Sequence, residues 1–553
     1  MFYGAFAYMT VAGYIIDFLK SKGVRTVFAY PGANVLRLYG LLCQSGIRVI
    51  LTRHEQGAAH AAAGYAKATG KPGVCIATSG PGAANLVTGI ADAYLDSAPM
   101  LIITGQVPSA YIGRDAFQEA DIMGMTIPVS KHNYLIRHQS EVPRDLEEAW
   151  RIAVCPRQGP VLVDITSDLF DSALTEQDMR FECLLPRERH NRYPLDSVKE
   201  KTFEALRASF RPVILAGGGV YAAGASALLE KAAAESHIPV VFTMMGKSAA
   251  AAPGSQCRYL GMAGRHGNAK ANRALSQSDL VIAVGCRFSD RTVGDFAAFG
   301  RSRTVIHCDI DPAELDKNVK ADIPVCCDAG SFLSFLTEIC STLPESVLGR
   351  FDNWGRALFS NAMPDLQLAP YDTDAGDSNQ VYAAVAEYVA KYPSSAVVTD
   401  VGCVQTKTAR EVPIFRERSF ITSGGLGVMG FGLPGAIGAA FGLRDFGNTD
   451  SHTRVIALCG DGGFQMTVQE CGLLGKCPVP VKVIIVNNSC LKMVKDMPAG
   501  AGGYYDMSDN PDFVHLAESY GISGVRAVSG SCREAVSGFL NSDAAGVLEI
   551  KED

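Results

Sequence analysis

The sequence predicts an α/β protein of three doubly wound parallel-sheet domains, and three observations support this fold class. At 553 residues the chain is long enough for several domains. Short apolar runs alternate with longer helix-like segments from Val24 onward, which is the pattern of strands and helices around a parallel sheet. Polar stretches at 180–194 and 352–378 interrupt the alternation. They divide the chain into predicted domains at 1–180, 190–345 and 370–553.

The first predicted domain begins with a helix. The apolar amino terminus carries Asp17 and lacks a basic start, so we interpret it as a helix with an apolar overhang that ends near Gly23, rather than as a signal peptide. Strands are expected at 26–30, 49–52, 74–78, 100–104 and 161–165, and helices at about 35–44, 58–69 and from 84 onward. No segment has 18 uninterrupted apolar residues, so we expect no membrane span.

The two later domains repeat the alternation. In the middle domain, strands are expected at 213–216, 240–243, 280–284 and 304–309, and three glycines follow the first of them. In the third domain, strands are expected at 396–400, 455–458 and 481–486. These runs are almost wholly apolar, as is typical of parallel strands that helices cover on both faces.

Charge and cysteine content exclude some classes of protein. The net charge of -7 and the pI near 5.9 give no support to nucleic-acid binding. The 16 cysteines are scattered and show no zinc-site spacing. We interpret them as buried thiols of a protein in a reducing cytoplasm.

A motif in the third domain predicts a metal and a phosphate site. Gly460, Asp461 and Gly462 follow one predicted strand, and Asn487 and Asn488 end the next. Asp461 and Asn488 offer hard oxygen ligands for Mg²⁺, and glycines let the backbone approach a diphosphate. A Gly-Asp-Gly triplet also occurs in ordinary turns. Gly-Asp-Gly, 24 intervening residues and Asn-Asn, however, resembles the cofactor motif of thiamine-diphosphate enzymes.

Longer segments of the first domain resemble a family within that class. The runs RHEQGAAHAAAGYAKATG, TSGPGAANLVTGIADAYLDSAPMLIITGQV and GRDAFQEADIMGMTIPVSKHNYLI are similar to the pyrimidine-binding domain of acetohydroxyacid synthase, also called acetolactate synthase. In that family the glutamate matched by Glu55 protonates the cofactor's aminopyrimidine ring. Phe117, Gln118 and Lys131 match positions that line the active site. The resemblance therefore implies that Glu55, Gln118 and Lys131 are catalytic.

The resemblance also implies the residues that hold thiamine diphosphate and Mg²⁺. TSGGLGVMGFGLPGAIGAAFGL is similar to the family segment that precedes the metal motif, and its Met429 matches the apolar residue that keeps the cofactor bent. The metal ligands would be Asp461, Asn488 and the backbone carbonyl of Cys490. The thiamine diphosphate site would comprise Pro31, Gly32, Gly82, Asn85, Gly402, Gly427, Met429, Gly460, Gly462 and Gly463.

The middle domain resembles the family's FAD-binding domain. Four segments occur in the family's order: LAGGGVYAAGA, LGMAGRHGNAKANRAL, GCRFSDRTVG and HCDIDPAEL. The resemblance places FAD, with a structural rather than a redox role, along Gly218, Gly219, Thr243, His266, Arg287, Asp309 and Asp328. Arg291 matches the arginine that holds the second keto acid's carboxylate, a task that suits a forked guanidinium.

Considered alone, several of these residues have a plainer interpretation. A glutamate just after a strand, such as Glu55, is usually a solvated loop residue. Met429 fits a core methionine, and Lys131 fits a surface charge. Arg291 is equally consistent with a salt bridge to Asp290.

The chain also departs from the family pattern. Arg265 stands where the family commonly has methionine, and Met497 replaces a tryptophan that shapes the pocket for 2-ketobutyrate. Cys403 and Val404 replace the usual Gln-His pair, although Gln405 is present, and the carboxyl-terminal tail is short. These departures bear on acceptor preference and turnover.

The resemblance implies an acetolactate synthase that decarboxylates pyruvate and transfers the two-carbon unit to a second 2-keto acid, giving 2-acetolactate for branched-chain amino acid biosynthesis. The alternatives are another carboligase or 2-oxoacid decarboxylase on the same scaffold, or a cofactor-binding paralogue without catalysis. We expect a cytoplasmic homodimer or homotetramer with sites shared between subunits, and a small regulatory subunit is a candidate partner. The acceptor, feedback inhibition and a biosynthetic or fermentative role stay open at this stage.

Overall fold

Three separate six-stranded sheets, each with only parallel strand pairs, organise the computed structural model. It describes residues 9–183, 195–249, 258–301, 303–360, 378–447, 449–496, 505–528 and 530–552. Most of the predicted first linker, 184–194, and Met497 lie outside the described residues. The sheets confirm the predicted fold class.

The first sheet has the strand order β2-β1-β3-β4-β6-β5. Its strands are β1 (Thr26–Tyr30), β2 (Arg48–Leu51), β3 (Gly73–Ala77), β4 (Met100–Gln106), β5 (His132–Ile136) and β6 (Pro160–Thr166). Its helices are α1 (Val11–Ser21), α2 (Leu36–Gln44), α3 (Glu55–Thr69), α4 (Pro81–Ala84), α5 (Val87–Leu95), α6 (Ile122–Thr126) and α7 (Val142–Val154). The predicted helix at 58–69 begins earlier than expected because His54 caps it, accepting the Gln56 N–H at 3.1 Å.

The middle sheet has the order β12-β11-β10-β7-β8-β9. Its strands are β7 (Pro212–Ala216), β8 (Val240–Phe242), β9 (Tyr259–Met262), β10 (Leu280–Val284), β11 (Thr304–Asp309) and β12 (Ile323–Cys326). Its helices are α8 (Asp196–Ala208), α9 (Gly218–Ala222), α10 (Ser226–Ser236), α11 (Ala269–Gln277), α12 (Asp290–Val293), α13 (Phe296–Arg301), α14 (Ala329–Ser341) and α15 (Glu345–Phe359). Helix α15 lies beyond the predicted end at 345, and its Phe351 and Trp354 are buried in the cores of this unit.

The third sheet has the order β14-β13-β15-β16-β18-β17, which is the order of the first sheet repeated. Its strands are β13 (Ala396–Thr399), β14 (Phe420–Ile421), β15 (Val455–Gly460), β16 (Val481–Asn487), β17 (Ser523–Ala527) and β18 (Gly546–Lys551). Its helices are α16 (Ser378–Lys391), α17 (Cys403–Glu411), α18 (Gly432–Phe446), α19 (Asp461–Met466), α20 (Lys492–Lys495), α21 (Phe513–Ser519) and α22 (Cys532–Asn541). A 3₁₀ segment, Val468–Lys476, joins α19 to β16.

The first and third units share one hydrophobic core because α3 packs directly on α18. Glycines allow this close contact. A Cβ added at Gly438 would lie 1.8 Å from the carbonyl oxygen of Ala61, and one at Gly64 would lie 2.2 Å from that of Gly435. Any side chain at these two positions would therefore separate the helices.

Each sheet has a switch point, where ligands bind in doubly wound folds, at the carboxyl ends of its central strands. These switch points lie between β1 and β3, between β7 and β10, and between β13 and β15. Predicted site residues follow the strands at each point: Gly32 and Gly82 in the first unit, Gly218 and Arg287 in the second, and Gly402 and Asp461 in the third.

Two further expectations can be compared with the described residues. None of the helices in this part of the chain is long and apolar enough to cross a bilayer. The described cysteines carry free thiols, and most of them are buried.

Candidate active site

A cavity of about 850 Å³ opens between the middle and third units and reaches α5 of the first. This volume is within the range of small-molecule sites. Its lining includes every residue predicted for the flavin, for the metal and for the third-domain half of the thiamine site, together with Arg291. These residues are Gly218, Gly219, Thr243, His266, Arg287, Arg291, Asp309, Asp328, Gly402, Gly427, Met429, Gly460, Asp461, Gly462, Gly463, Asn488 and Cys490.

Three glycines give this cavity a wall of bare backbone. Gly402 follows β13, Gly460 ends β15, and Gly427 lies in the loop before α18. A Cβ at any of the three would have no neighbour within 4 Å, so each faces open space. The φ angles of 93° at Gly402 and 75° at Gly427 also favour glycine. This cradle fits a diphosphate, which needs close backbone approach.

Hard oxygen donors lie beside the cradle. Asp461 is 3% exposed, and burial raises the pKa of its carboxyl, while the amide of Asn510 donates to Oδ2 over 2.8 Å. Asn488 Oδ1 accepts the Cys490 N–H at 3.3 Å, and the Cys490 carbonyl accepts the Lys492 N–H at 2.9 Å. Carboxylate, amide and carbonyl oxygens around one cavity fit Mg²⁺, which keeps few protein ligands and completes its shell with water and phosphate.

Two supporting residues of this half were not predicted from the sequence. Asp400 is buried and accepts the N–H groups of Gly430 and Gly432 at 3.0 and 2.9 Å, which fixes the loop that carries Gly427. Burial raises the pKa of Asp400 to about 6. Asn510 also donates to Asn487 at 3.1 Å. A carboxylate at the end of a central strand could have indicated Asp400, whereas no local pattern indicated Asn510.

The first unit holds the predicted pyrimidine side. Glu55 is the first residue of α3 and is 8% exposed, and Asn85 donates to its Oε2 over 3.0 Å. A Cβ at Gly82 would lie 3.2 Å from Glu55 Oε1, and one at Gly32 would lie 2.5 Å from Thr78 Cγ2. The structure thus brings Glu55, Asn85, Gly82 and Gly32, with Pro31 beside it, to one edge of the first sheet.

This edge does not join the cavity within one chain. Among the described residues that line the cavity, none of Pro31, Gly32, Glu55, Gly82, Asn85 or Gln118 is present. The two halves of the predicted thiamine site are therefore not assembled into one cavity by a single chain.

The loop after β4 presents Phe117 and Gln118 near the pyrimidine side. Phe117 is 88% exposed, an unusual state for a phenylalanine. Gln118 has a φ of 61°, and a Cβ at Gly80 would lie 2.7 Å from its carbonyl oxygen. Gln118 thus packs against the turn that carries Gly82.

Lys131 contacts the carboxyl end of α7. Its ammonium donates to the carbonyls of Ile152 and Cys155, at 2.5 and 3.1 Å, at the carboxyl end of α7. A cation there satisfies the last carbonyls of the helix. The geometry gives Lys131 a capping position, and its catalytic role stays a prediction.

Arg291 lines the cavity and is largely exposed, with its Nε 3.7 Å from Asp290 Oδ2. Both of the interpretations that the sequence left open are therefore compatible with its position. The exposed Arg265 lies next to it in space, since its N–H donates to the Arg291 carbonyl at 2.8 Å. Of these two arginines, only Arg291 is among the described residues that line the cavity.

The middle unit offers a second glycine-walled surface. Gly219 packs so closely on Gly285 that a Cβ would lie 2.6 Å from the Gly285 Cα. Asp309 ends β11, and burial raises the pKa of its carboxyl to about 6. Asp328 caps α14 by accepting the N–H groups of Gly330 and Ser331. Because all seven predicted flavin residues line one cavity that continues to the diphosphate cradle, the residues present fit FAD.

Gln405 retains a role beside the departures at Cys403 and Val404. Its amide donates to Thr422 Oγ1 at 2.7 Å and to the Ser423 carbonyl at 3.0 Å. All three side chains, Cys403, Val404 and Gln405, line the cavity. The replacement of the family's Gln-His pair by Cys403 and Val404 therefore changes the wall of the cradle. Gln405, which holds the neighbouring loop, is retained.

Comparison with family models identifies the class of protein. Residues 9–125 match the thiamine pyrophosphate enzyme N-terminal TPP binding domain, 200–336 match the central domain, and 400–550 match the C-terminal TPP binding domain. The fold and the site thus define a thiamine pyrophosphate enzyme. Within that class, the chain belongs to the family of acetolactate synthase large subunits.

Three relatives illustrate the similarity. The probable acetolactate synthase large subunit of Methanocaldococcus jannaschii is 39% identical and aligns with 98% of this chain and 91% of its own. The acetolactate synthase large subunit of Lactococcus lactis is 40% identical, over 93% and 87%. The acetolactate synthase isozyme 2 large subunit of Escherichia coli is 37% identical, over 99% and 96%.

Proposed function

We propose that this chain is the catalytic subunit of an acetolactate synthase, which decarboxylates pyruvate and joins the two-carbon unit to a second 2-keto acid. The observation that carries the proposal is the single cavity shared by the glycine cradle, Asp461, Asn488 and Arg291. With pyruvate as acceptor the product is 2-acetolactate, a precursor for branched-chain amino acid biosynthesis. The family membership supports the same reaction.

Thiamine diphosphate, when bound, supplies the electron sink that makes loss of CO₂ feasible. The chain's own residues bind and orient it. Gly402, Gly427 and Gly460 would face the diphosphate, and Asp461, Asn488 and the Cys490 carbonyl would hold Mg²⁺. Met429 would support the bend of the cofactor. Its Cε lies beside Gly462 of the cradle, where an added Cβ would be 3.2 Å away.

Glu55 would exchange the proton with the aminopyrimidine of the cofactor. Its carboxyl is shielded from water and held by Asn85, so that it can exchange a proton with the aminopyrimidine at a fixed position. Arg291 would bind the carboxylate of the acceptor keto acid through its guanidinium. FAD along the middle unit would serve the architecture of the cavity.

We further propose that the active form is a homodimer or homotetramer with sites shared between subunits. Glu55 and Asp461 lie in different units, and the Glu55 edge does not line the cavity of its own chain. The 88% exposed Phe117 beside that edge offers an apolar surface for a second copy. A cytoplasmic location and association with a small regulatory subunit belong to the same proposal.

One observation favours a second candidate, a related carboligase with another acceptor. Arg265 stands where the family commonly has methionine, and its backbone N–H donates to the Arg291 carbonyl at 2.8 Å. An acceptor with additional negative charge would profit from this pair.

The test is pyruvate consumption by the purified protein with thiamine diphosphate, Mg²⁺ and FAD, following acetolactate by its acid conversion to acetoin. Glu55→Gln is the control, and we expect it to lose about 10²- to 10⁴-fold in turnover, as for a missing acid-base group. Supplying 2-ketobutyrate or an aldehyde as second substrate would identify the acceptor. CO₂ release without acetolactate would contradict the acceptor, and no CO₂ from any 2-oxoacid would contradict catalysis.

A further inference from the structure

Three consecutive residues, the last of α5 and the two that follow it, touch all three units of the chain. We call residues 95–97 the junction. The Leu95 carbonyl accepts a hydrogen bond from Nη1 of Arg287, in the middle unit, at 2.8 Å. The Asp96 carboxylate faces the third unit. Ser97 Oγ accepts a hydrogen bond from Nε of Arg157, in the first unit, at 3.1 Å. Each of these residues also lines the cavity. The junction thus joins the predicted flavin and thiamine sides of one cavity.

Asp96 is the centre of the junction. Its side chain is fully buried, and Oδ2 lies 2.8 Å from the Lys67 ammonium and accepts the Gly424 N–H at 3.0 Å. Oδ1 accepts the Gly425 N–H at 2.7 Å. A buried carboxylate with this many donors has one favoured position, because any displacement leaves charge unpaired in a low dielectric.

Lys67 extends these contacts along the same loop. Its ammonium also donates to the Thr422 carbonyl at 2.9 Å and lies 3.1 Å from Asp92. Asp92 accepts the Ser423 hydroxyl, whose oxygen accepts the N–H groups of Gly427 and Val428 at 3.1 and 2.9 Å. The loop that carries Gly427 and Met429 is therefore held from the first unit by two buried aspartates.

The other side of the junction faces the middle unit. Arg287 is a predicted flavin residue, and its Nη1 donates to the Leu95 carbonyl at 2.8 Å. Its Nη2 lies beside Gly425 of the thiamine loop, where an added Cβ would be 2.9 Å away. Arg157, which holds Ser97, pairs through Nη1 with Asp311 at 3.0 Å and Glu314 at 2.5 Å, close to Asp309. Ser97 has a φ of 55°, in the left-handed region that a serine rarely occupies. Its backbone is thus fixed by its neighbours rather than by local preference.

We propose that Asp96 is a positioning residue that couples the two cofactor sites, so that FAD bound against Arg287 orders the 423–429 loop for thiamine diphosphate. The inference rests on the proposed function, because it needs both cofactors to bind. A ligand that orders a shared element reduces the ordering cost for the second ligand, and the effect is reciprocal. A purely structural Asp96 would stabilise the fold without linking the two affinities.

The first experiment measures the dissociation constant of FAD by flavin fluorescence, with and without saturating thiamine diphosphate and Mg²⁺, in the full-length protein. For the wild type we expect FAD to bind about 10-fold more tightly when thiamine diphosphate is present, a typical coupling between sites. In Asp96→Asn we expect this ratio to fall to within about twofold of unity, while FAD alone still binds. Asp96→Glu, which keeps the carboxylate, should restore part of the ratio.

Asp445→Asn is the matched control. Asp445 is also a buried aspartate between the first and third units, where it accepts Thr26 Oγ1 at 2.7 Å and Arg48 Nη1 at 2.8 Å, but it does not line the cavity. We expect this variant to keep the wild-type ratio even if it unfolds at a lower temperature. An equal loss of coupling in both variants would overturn the specific role of Asp96.

A second measurement needs no variant. Backbone hydrogen exchange of the wild-type peptide that covers 423–429 should become slower when FAD alone is added. The N–H groups of Gly424 and Gly425 donate to Asp96, and that of Gly427 donates to Ser423 Oγ. Unchanged exchange, or both cofactors binding without any coupling, would overturn the inference and leave the proposed function intact. Failure of the wild type to bind FAD or thiamine diphosphate would overturn both.

Discussion

Asn85 donates its side-chain amide to Oε2 of Glu55 over 3.0 Å, although the two residues are 30 positions apart. The contact joins the start of α3 to the residue that follows α4, and both lie at the same edge of the first sheet. The direction of the Glu55 carboxyl is thus set by a residue on another element. Asn85 should accordingly matter for turnover more than for substrate binding.

Asn85→Ala should lower kcat about 10- to 100-fold, the cost of losing a hydrogen bond to a charged group, with little change in the KM for pyruvate. Steady-state acetolactate formation measures both constants. Asn34→Ala is a matched control, because Asn34 donates to Ser79 Oγ at 2.6 Å in the same region without touching Glu55. An equal loss in both variants would indicate a general collapse of the turn.

Asp461→Asn should weaken Mg²⁺-dependent binding of thiamine diphosphate by more than about 100-fold, and Asn510→Ala by about 10-fold, since Asn510 only orients the carboxylate. Calorimetric titration of thiamine diphosphate at a series of Mg²⁺ concentrations measures both effects. Asp509→Asn, an exposed neighbour, is the control. A larger loss of thiamine diphosphate affinity in Asn510→Ala than in Asp461→Asn would contradict the assignment of Asp461 as a metal ligand.

Glu470→Gln should change the pH dependence of stability. Burial raises the pKa of Glu470 from 4.5 to about 7, against hydrogen bonds from Arg53 and His54 N–H groups that lower it, and its Oε2 has no partner. Between these two pH values the folded chain binds more protons than the unfolded chain, so this group makes stability fall as pH rises.

The glutamine variant lacks this titration. Its melting temperature relative to the wild type should therefore increase from pH 5 to pH 8, as thermal unfolding at both values would show. Asp164 and Asp400, whose pKa values burial raises to about 7 and about 6, titrate in both proteins and cancel in the difference. A constant difference across the pH range would show that Glu470 is ionised at all these values.

Phe117→Glu should weaken self-association, because a charge at an apolar contact must be desolvated. Sedimentation velocity over a range of protein concentrations measures this, and acetolactate formation should fall with the dimer fraction. Phe210→Glu is the matched control, since Phe210 is a 60% exposed phenylalanine on the middle unit, under the guanidinium of Arg350. Dissociation by the control variant alone would place the interface elsewhere.

Lys131→Met separates helix capping from catalysis. If Lys131 acts through the Ile152 and Cys155 carbonyls, the variant should lose about 1 kcal/mol of stability, as for a lost cation at a helix carboxyl terminus, and keep kcat within about twofold. Thermal unfolding and steady-state kinetics on the same preparation provide both numbers. A large fall in kcat at unchanged melting temperature would instead support the predicted catalytic role.

Most of the central strands were predicted from the sequence almost to the residue, but β18, which is buried between β16 and β17, was not. The runs at 26–30, 280–284 and 304–309 are the observed β1, β10 and β11. They are buried on both faces, so each is a continuous apolar run between loops. Edge strands such as β14 and β17 were not predicted, because β14 has two residues and β17 is mostly exposed. Weak apolar patterning there leaves little to detect.

The sequence by itself determined the fold class and the thiamine motif, because the carboxyl ends of parallel strands are marked locally by glycine and polar residues. Only the tertiary structure decided which of those residues share a cavity. It joined the flavin and diphosphate residues, left the Glu55 edge apart, brought Asn510 to Asp461, and held Lys131 at the end of α7. These relationships link residues far apart in the chain, and they depend on how helices and sheets pack rather than on any local periodicity.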